Sequence, residues 1–110
     1  MFIVKDGHEA VVTFKVTNVG KTAGAEVAQV YVTDEESSVQ RPLKELKGFD
    51  KVFLKPGETG TLSIRLGKTS FRFYDPYQHQ FVLEDGKFTI SVGTSSADIR
   101  LASSVDMEFR

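Results

Sequence analysis

Apolar and polar residues alternate along this chain with a period of two, and turn residues interrupt the alternation at intervals typical of a β-sandwich. Ala10, Val12, Phe14 and Val16 alternate with Val11, Thr13, Lys15 and Thr17, which predicts a strand with one buried face, closed by Asn18-Val19-Gly20-Lys21. A hairpin-like turn through Gly20 to Gly24 is expected next. Ala25 to Thr33 then carries apolar residues on both faces, Val27 and Tyr31 on one and Ala28, Val30 and Val32 on the other, as a central strand would. Asp34 to Arg41 reads as a polar loop, and Pro42 argues against a regular ladder there. Leu46 to Leu54 resumes strand character and ends at Lys55-Pro56-Gly57-Glu58, a Pro-Gly tight turn.

Leu62, Ile64 and Leu66 alternate with Thr61, Ser63 and Arg65, and Phe71 and Phe73 open a further strand. Asp75 to Gln80 reads as a turn, Phe81-Val82-Leu83 as the return and Glu84-Asp85-Gly86 as another turn. Phe88, Ile90 and Val92 alternate with Thr89 and Ser91, and Ile99 to Phe109 supplies one or two final strands. The pattern predicts one all-β sandwich domain, residues 1–110, of about seven to eight antiparallel strands and no amphipathic helix. Phe14, Ile64, Phe88 and Ile90 are the expected core positions.

Composition narrows the function more than the fold. Hydrophobic residues make up 40% of the chain and include nine Phe, enough for a core without staples, which excludes a disordered tail. Fourteen Lys and Arg stand against fifteen Asp and Glu, scattered rather than blocked, so neither nucleic acid nor an anionic membrane is the expected partner. The absence of Cys removes disulfides and thiolate metal sites and leaves the compartment open. Charge at Lys5 and Asp6 interrupts the start where a signal peptide needs its apolar stretch, so no targeting signal is expected in the chain itself.

The candidate chemistry is sparse. Glycoside hydrolysis needs two carboxyl groups facing across a sugar, and neither Asp34-Glu35-Glu36 nor Glu84-Asp85 has that character; both read as solvated surface charge. The same acidic residues lack the alternating ligands and central Gly of a calcium loop. His8 and His79 have no second His or Cys nearby to complete a metal site and read as exposed loop histidines. Gly20-Lys21-Thr22 resembles the end of a phosphate loop, but Lys15 stands where its first Gly must be and no helix follows. No Gly-x-Ser-x-Gly elbow occurs. No catalytic, metal or cofactor residue is therefore assigned. Tyr74, Tyr77 and Phe81 are the exception worth weighing: exposed rings stack on sugars, while the alternative is Phe81 in the core with the two tyrosines capping the sandwich edge.

Arg41-Pro42-Leu43-Lys44-Glu45-Leu46-Lys47-Gly48-Phe49 and Lys55-Pro56-Gly57-Glu58 resemble the fibronectin type III-like domain near the C-terminus of glycoside hydrolase family 3 enzymes, β-glucosidases and β-xylosidases among them. The resemblance continues upstream through Val16-Thr17-Asn18-Val19-Gly20-Lys21 and Gly24 to Val32. Downstream it runs through Phe73-Tyr74-Asp75 and Val92 to Ser96, so that it covers about Glu9 to Arg100 in order. Phe81 replaces a frequent Trp and Asp85 a frequent Pro, changes the fold should tolerate. The resemblance implies an immunoglobulin-like, fibronectin type III-like sandwich whose parent enzyme keeps catalysis in two other domains, a barrel with an Asp nucleophile and an α/β domain supplying the acid/base. On that expectation the catalytic domains are the partners. Arg41, Pro42, Leu43 and Lys44 are the interface candidates, Arg41 reaching a neighbouring carboxylate and Pro42 stiffening its loop. A carbohydrate-binding or cell-surface adhesion module using Tyr74 and Tyr77 on polysaccharide is the alternative.

Overall fold

The computed structural model describes residues 1–35, 45–95 and 98–109. They form nine antiparallel strands: β1 Phe2–Asp6, β2 Glu9–Thr17, β3 Gly24–Asp34, β4 Glu45–Leu54, β5 Thr59–Leu66, β6 Phe73–Asp75, β7 Gln80–Val82, β8 Gly86–Ser95 and β9 Asp98–Met107. One turn of 3₁₀-helix, Lys68–Ser70, sits between β5 and β6. A three-stranded sheet in the order β1-β2-β5 faces a four-stranded sheet in the order β4-β3-β8-β9, and β6 and β7 pair separately. The sandwich is as expected, with one strand more than the seven to eight the pattern suggests. The addition is β1, whose pairing with β2 (Ile3 opposite Val12, Val4 opposite Val11) compensates for a segment too short and too charged to read as a strand alone.

The period-two pattern becomes two inner faces. Ala10, Val12 and Phe14 of β2 and Leu62 and Leu66 of β5 meet Ala28, Val30 and Val32 of β3 and Phe88, Ile90 and Val92 of β8, all buried. Phe71, just past the 3₁₀ turn, closes one end with its ring edge on Phe88, centroids 5.0 Å apart, and Phe109 packs against both. Ile64 is a correction: it lies at the margin of this core, half-buried, not in its centre. It belongs to β5, at the edge of its sheet, and its Cγ2 lies so close to the backbone of Gly48 on β4 that a Cβ there would meet it at 3.1 Å.

The segment through Gly20 to Gly24 is also corrected. It is not a hairpin, because β2 pairs with β1 and β5 while β3 belongs to the opposite sheet. The chain arches over the open end of the sandwich, and so does the turn from β4 to β5, where Gly57 takes φ 79° and Glu58 N–H donates to Lys55 O. Buried Asn18 stitches the two arches. Its Nδ2 donates to Thr22 O and to Leu54 O, its Oδ1 accepts from Gly20 N–H, its backbone N–H donates to Glu58 O, and its carbonyl accepts from Gly57 N–H at 2.7 Å. An amide side chain supplies both donor and acceptor there, which an apolar residue of the same size could not.

Candidate interdomain surface

The interface candidates Arg41, Pro42, Leu43 and Lys44 lie outside the described residues. The strand that follows them is described. β4 is an edge of the four-stranded sheet, and pairing with β3 sets Phe53 opposite Ala25, Lys51 opposite Val27 and Phe49 opposite Gln29. A register shift beside Val30 lets Leu46 face Tyr31 on the same side. Because Ala28, Val30 and Val32 point into the core, all of these partners point outward. Phe49 and Phe53 are therefore 71% and 70% exposed, with Leu46 and Val27 half-exposed beside them. Sequence reasoning missed this face. The available signal was that Leu46 to Leu54 puts apolar residues at both parities, Phe49 and Phe53 against Val52 and Leu54, as only a strand covered on two sides requires.

The outer face of the three-stranded sheet is polar across β2 and β5 apart from half-buried Val11, and its exposed apolar residues, Phe2 and Val4, lie on β1. Thr13 pairs with Ser63 at 3.0 Å and Thr17 with Thr59 at 2.7 Å, hydroxyl to hydroxyl across the strands. Arg65 of β5 donates through one nitrogen to Asp6 at 3.0 Å and to Glu9 at 2.9 Å, and these hydrogen bonds hold its guanidinium above the ordinary arginine pKa. The clamp ties β1, β2 and β5 at the surface.

The sugar-stacking candidates sit on the β6–β7 hairpin. Phe73 and Asp75 face inward, so Tyr74 faces out, and its register partner Phe81 faces out with it. Phe81 is thus half-exposed and not the core residue of the alternative reading, its ring meeting that of Tyr74 edge-on at 5.5 Å while Arg72 lies 4.1 Å over its face. Tyr77 is 86% exposed at the turn. Buried Asp75 builds that turn by accepting from Tyr77 N–H and Gln78 Nε2, both at 2.8 Å, and His79 takes φ 53° to complete it. Tyr74 and Phe81 are brought together, with Arg72, which sequence pattern did not single out, over Phe81, while Tyr77 stands apart in the turn of the same hairpin.

The remaining candidates have structural work. His8 is half-buried rather than exposed: its Nδ1–H donates to Glu108 O at 3.0 Å and its ring leans on Phe109. Glu35 accepts from Thr89 Oγ1, and Asp85 accepts from Phe109 N–H. No group of three or more His, Cys, Asp or Glu among the described residues is placed to hold a metal ion. An open cleft of about 240 Å³ lies between the sheets near Lys15, Val19 and Arg100, and Glu26 is the one carboxylate among its described lining residues.

Comparison with known proteins agrees with this architecture. The fibronectin type III-like domain family matches residues 26–96. Thermostable beta-glucosidase B of Acetivibrio thermocellus is 50% identical over 102 residues, which are 93% of this chain and 14% of that protein. The beta-glucosidase structure from Kluyveromyces marxianus superposes with a TM-score of 0.92 at 38% identity, over 98% of this chain and 14% of the other. A GH3 beta-glucosidase structure from Bifidobacterium adolescentis gives 0.86 at 39% identity, over 94% and 15%. The chain spans about a seventh of the length of these relatives, and it belongs to the fibronectin type III-like domain family, in the form found within glycoside hydrolase family 3 β-glucosidases.

Proposed function

We propose that this chain is a non-catalytic accessory domain of a glycoside hydrolase family 3 β-glycosidase, where it packs against and stabilises the catalytic domains. The observation that carries the reading is a disproportion: Acetivibrio thermocellus beta-glucosidase B matches 93% of this chain with only 14% of its own length. The chemistry agrees. Hydrolysis needs two carboxyl groups about 5–10 Å apart across a sugar. Among its described lining residues the cleft between the sheets offers Glu26 as its one carboxylate, and Asp75, Asp85, Asp6 and Glu9 are engaged in turns and surface clamps. In this reading the nucleophile and acid/base reside elsewhere, and this domain contributes rigidity. Arches stitched by Asn18 and a core closed by Phe71 make it a body against which neighbouring domains can be held in register, and register matters because a small misplacement of catalytic groups costs orders of magnitude in rate.

The test is a graft. Replacing the matched segment of the Acetivibrio thermocellus enzyme by this chain should preserve hydrolysis of an aryl β-glucoside, and deleting the segment should abolish most of it. Full hydrolysis by the deletion variant would refute the accessory role.

A second reading, carbohydrate binding, draws on the outward Tyr74, Phe81 and Arg72 and on exposed Tyr77 in the turn of the same hairpin. It requires the isolated chain to be depleted from solution by insoluble cellulose, xylan or chitin, and Tyr74→Ala to lose that depletion. No depletion by any of the three would rule it out.

A further inference from the structure

We infer that the outer face of β4, with Phe49 and Phe53 at its centre and Leu46 and Val27 beside them, is the surface on which the rest of a parent chain seats. The inference rests on the accessory reading and adds to it the place of contact.

The two sheets present opposite outer faces. On the three-stranded sheet the outward residues of β2 and β5 are mostly polar and pair through the Thr13–Ser63 and Thr17–Thr59 hydroxyls and the Arg65 clamp, and the exposed apolar residues, Phe2 and Val4, are confined to β1. On β4 two phenylalanines stand four residues apart on one side of an edge strand, each about seven-tenths exposed. Rings in that state, with Leu46 and Val27, leave roughly 400 Å² of apolar surface open, within the range of the largest apolar patch on a soluble domain, which is often functional. Lone apolar residues on a surface need no partner, but here two rings, each more exposed than Phe2 or Val4 on the other sheet, stand with Leu46 and Val27 on two adjacent strands in register.

The area also selects the occupant. With a matching partner the patch buries about 800 Å², within the roughly 600–1,500 Å² of contacts between domains of one chain. It falls short of the roughly 2,000 Å² or more of an obligate homodimer. A contact of this size holds when covalent connection raises the effective concentration of the two sides. Lys51 and Gln29 within the patch fit the same class, since interdomain contacts are more polar than obligate ones. The occupant is therefore another domain of the same polypeptide, presenting an apolar surface.

The test compares one double substitution, Phe49→Thr with Phe53→Thr, in two settings. Thr keeps strand propensity and removes the rings. In the graft described above, the pair is expected to lower the melting midpoint toward that of the segment-deleted enzyme, and Phe49→Leu with Phe53→Leu to recover most of the loss. In the isolated chain the Thr pair should leave the midpoint within a degree or two, and Phe2→Thr with Val4→Thr on the other sheet should change neither protein. A graft that is indifferent to the Thr pair, while segment deletion destabilises the enzyme, overturns this inference and leaves the accessory role standing. A deletion variant as stable as the intact enzyme removes the accessory role and the inference with it. Equal losses in graft and isolated chain overturn the inference by showing that the rings serve the domain's own folding. Sedimentation equilibrium of the isolated chain should give a monomer; a dimer dissolved by the Thr pair would make a second copy the occupant and would also overturn it.

Discussion

Phe88 and Phe49 occupy strands of the same four-stranded sheet, yet Phe88 is wholly buried and Phe49 is mostly open. Phe88 belongs to β8, which has a neighbour on each side and whose alternation with Thr89 and Ser91 leaves no doubt about its inner face. Phe49 belongs to β4, an edge strand, on the side of the sheet turned away from the core. Residue type is identical, so hydrophobicity alone does not separate a side chain that holds the domain together from one that holds it to something else. What separates them is the face, and which face is inner depends on the partner strand.

Substitutions can break or sharpen that contrast. Phe88→Ala should have the largest effect, a loss of about 3–5 kcal/mol of stability, because the ring fills the space between Phe71 and Phe109 and leaves a cavity behind; urea unfolding of the isolated chain reads it directly. Such a loss can unfold a domain of this size outright. Asn18→Ala should come next, at roughly 1–3 kcal/mol, since it deprives Leu54 O, Thr22 O and Gly20 N–H of their partners at once. Its signature is a lowered urea midpoint with the denaturant slope unchanged.

Phe49→Thr in the isolated chain should fall within about 0.5 kcal/mol of the parent, an order of magnitude below Phe88→Ala, if the two rings differ as their exposure says. Arg65→Gln should have the smallest effect and should vanish in 1 M salt, because the clamp to Asp6 and Glu9 is solvent-exposed. Its pH dependence has a definite sign. The guanidinium pKa is raised in the folded state, so the contribution is fully present below the ordinary arginine pKa and is lost only as pH rises through the raised one. Thermal melts across the neutral range should therefore show no step attributable to Arg65.

Most of the fold was legible in the sequence because half-buried strands announce themselves by alternation: β2, β5 and β8 are read directly from Phe14, Leu62 and Phe88 with their polar neighbours. The connections were less legible. Asn18 to Gly24 carries turn residues suited equally to a hairpin and to an arch between sheets, and only the long-range bonds of Asn18 to Leu54, and of its backbone to Gly57 and Glu58, decide for the arch. β1 was hidden because its strand character is conferred by pairing with β2. The site was the least legible part. The aromatic hairpin could be named from Tyr74 and Tyr77, but the outward turn of Phe81 depends on its register with Tyr74, and the exposed rings of β4 depend on that strand's position at the sheet edge.

The most direct test of the account is the thermal melting midpoint of the Acetivibrio thermocellus enzyme with its matched segment deleted, measured beside the graft that carries this chain. A supporting domain predicts a markedly lower midpoint for the deletion and recovery of most of the loss in the graft. Identical midpoints for the intact and deleted enzymes would contradict it.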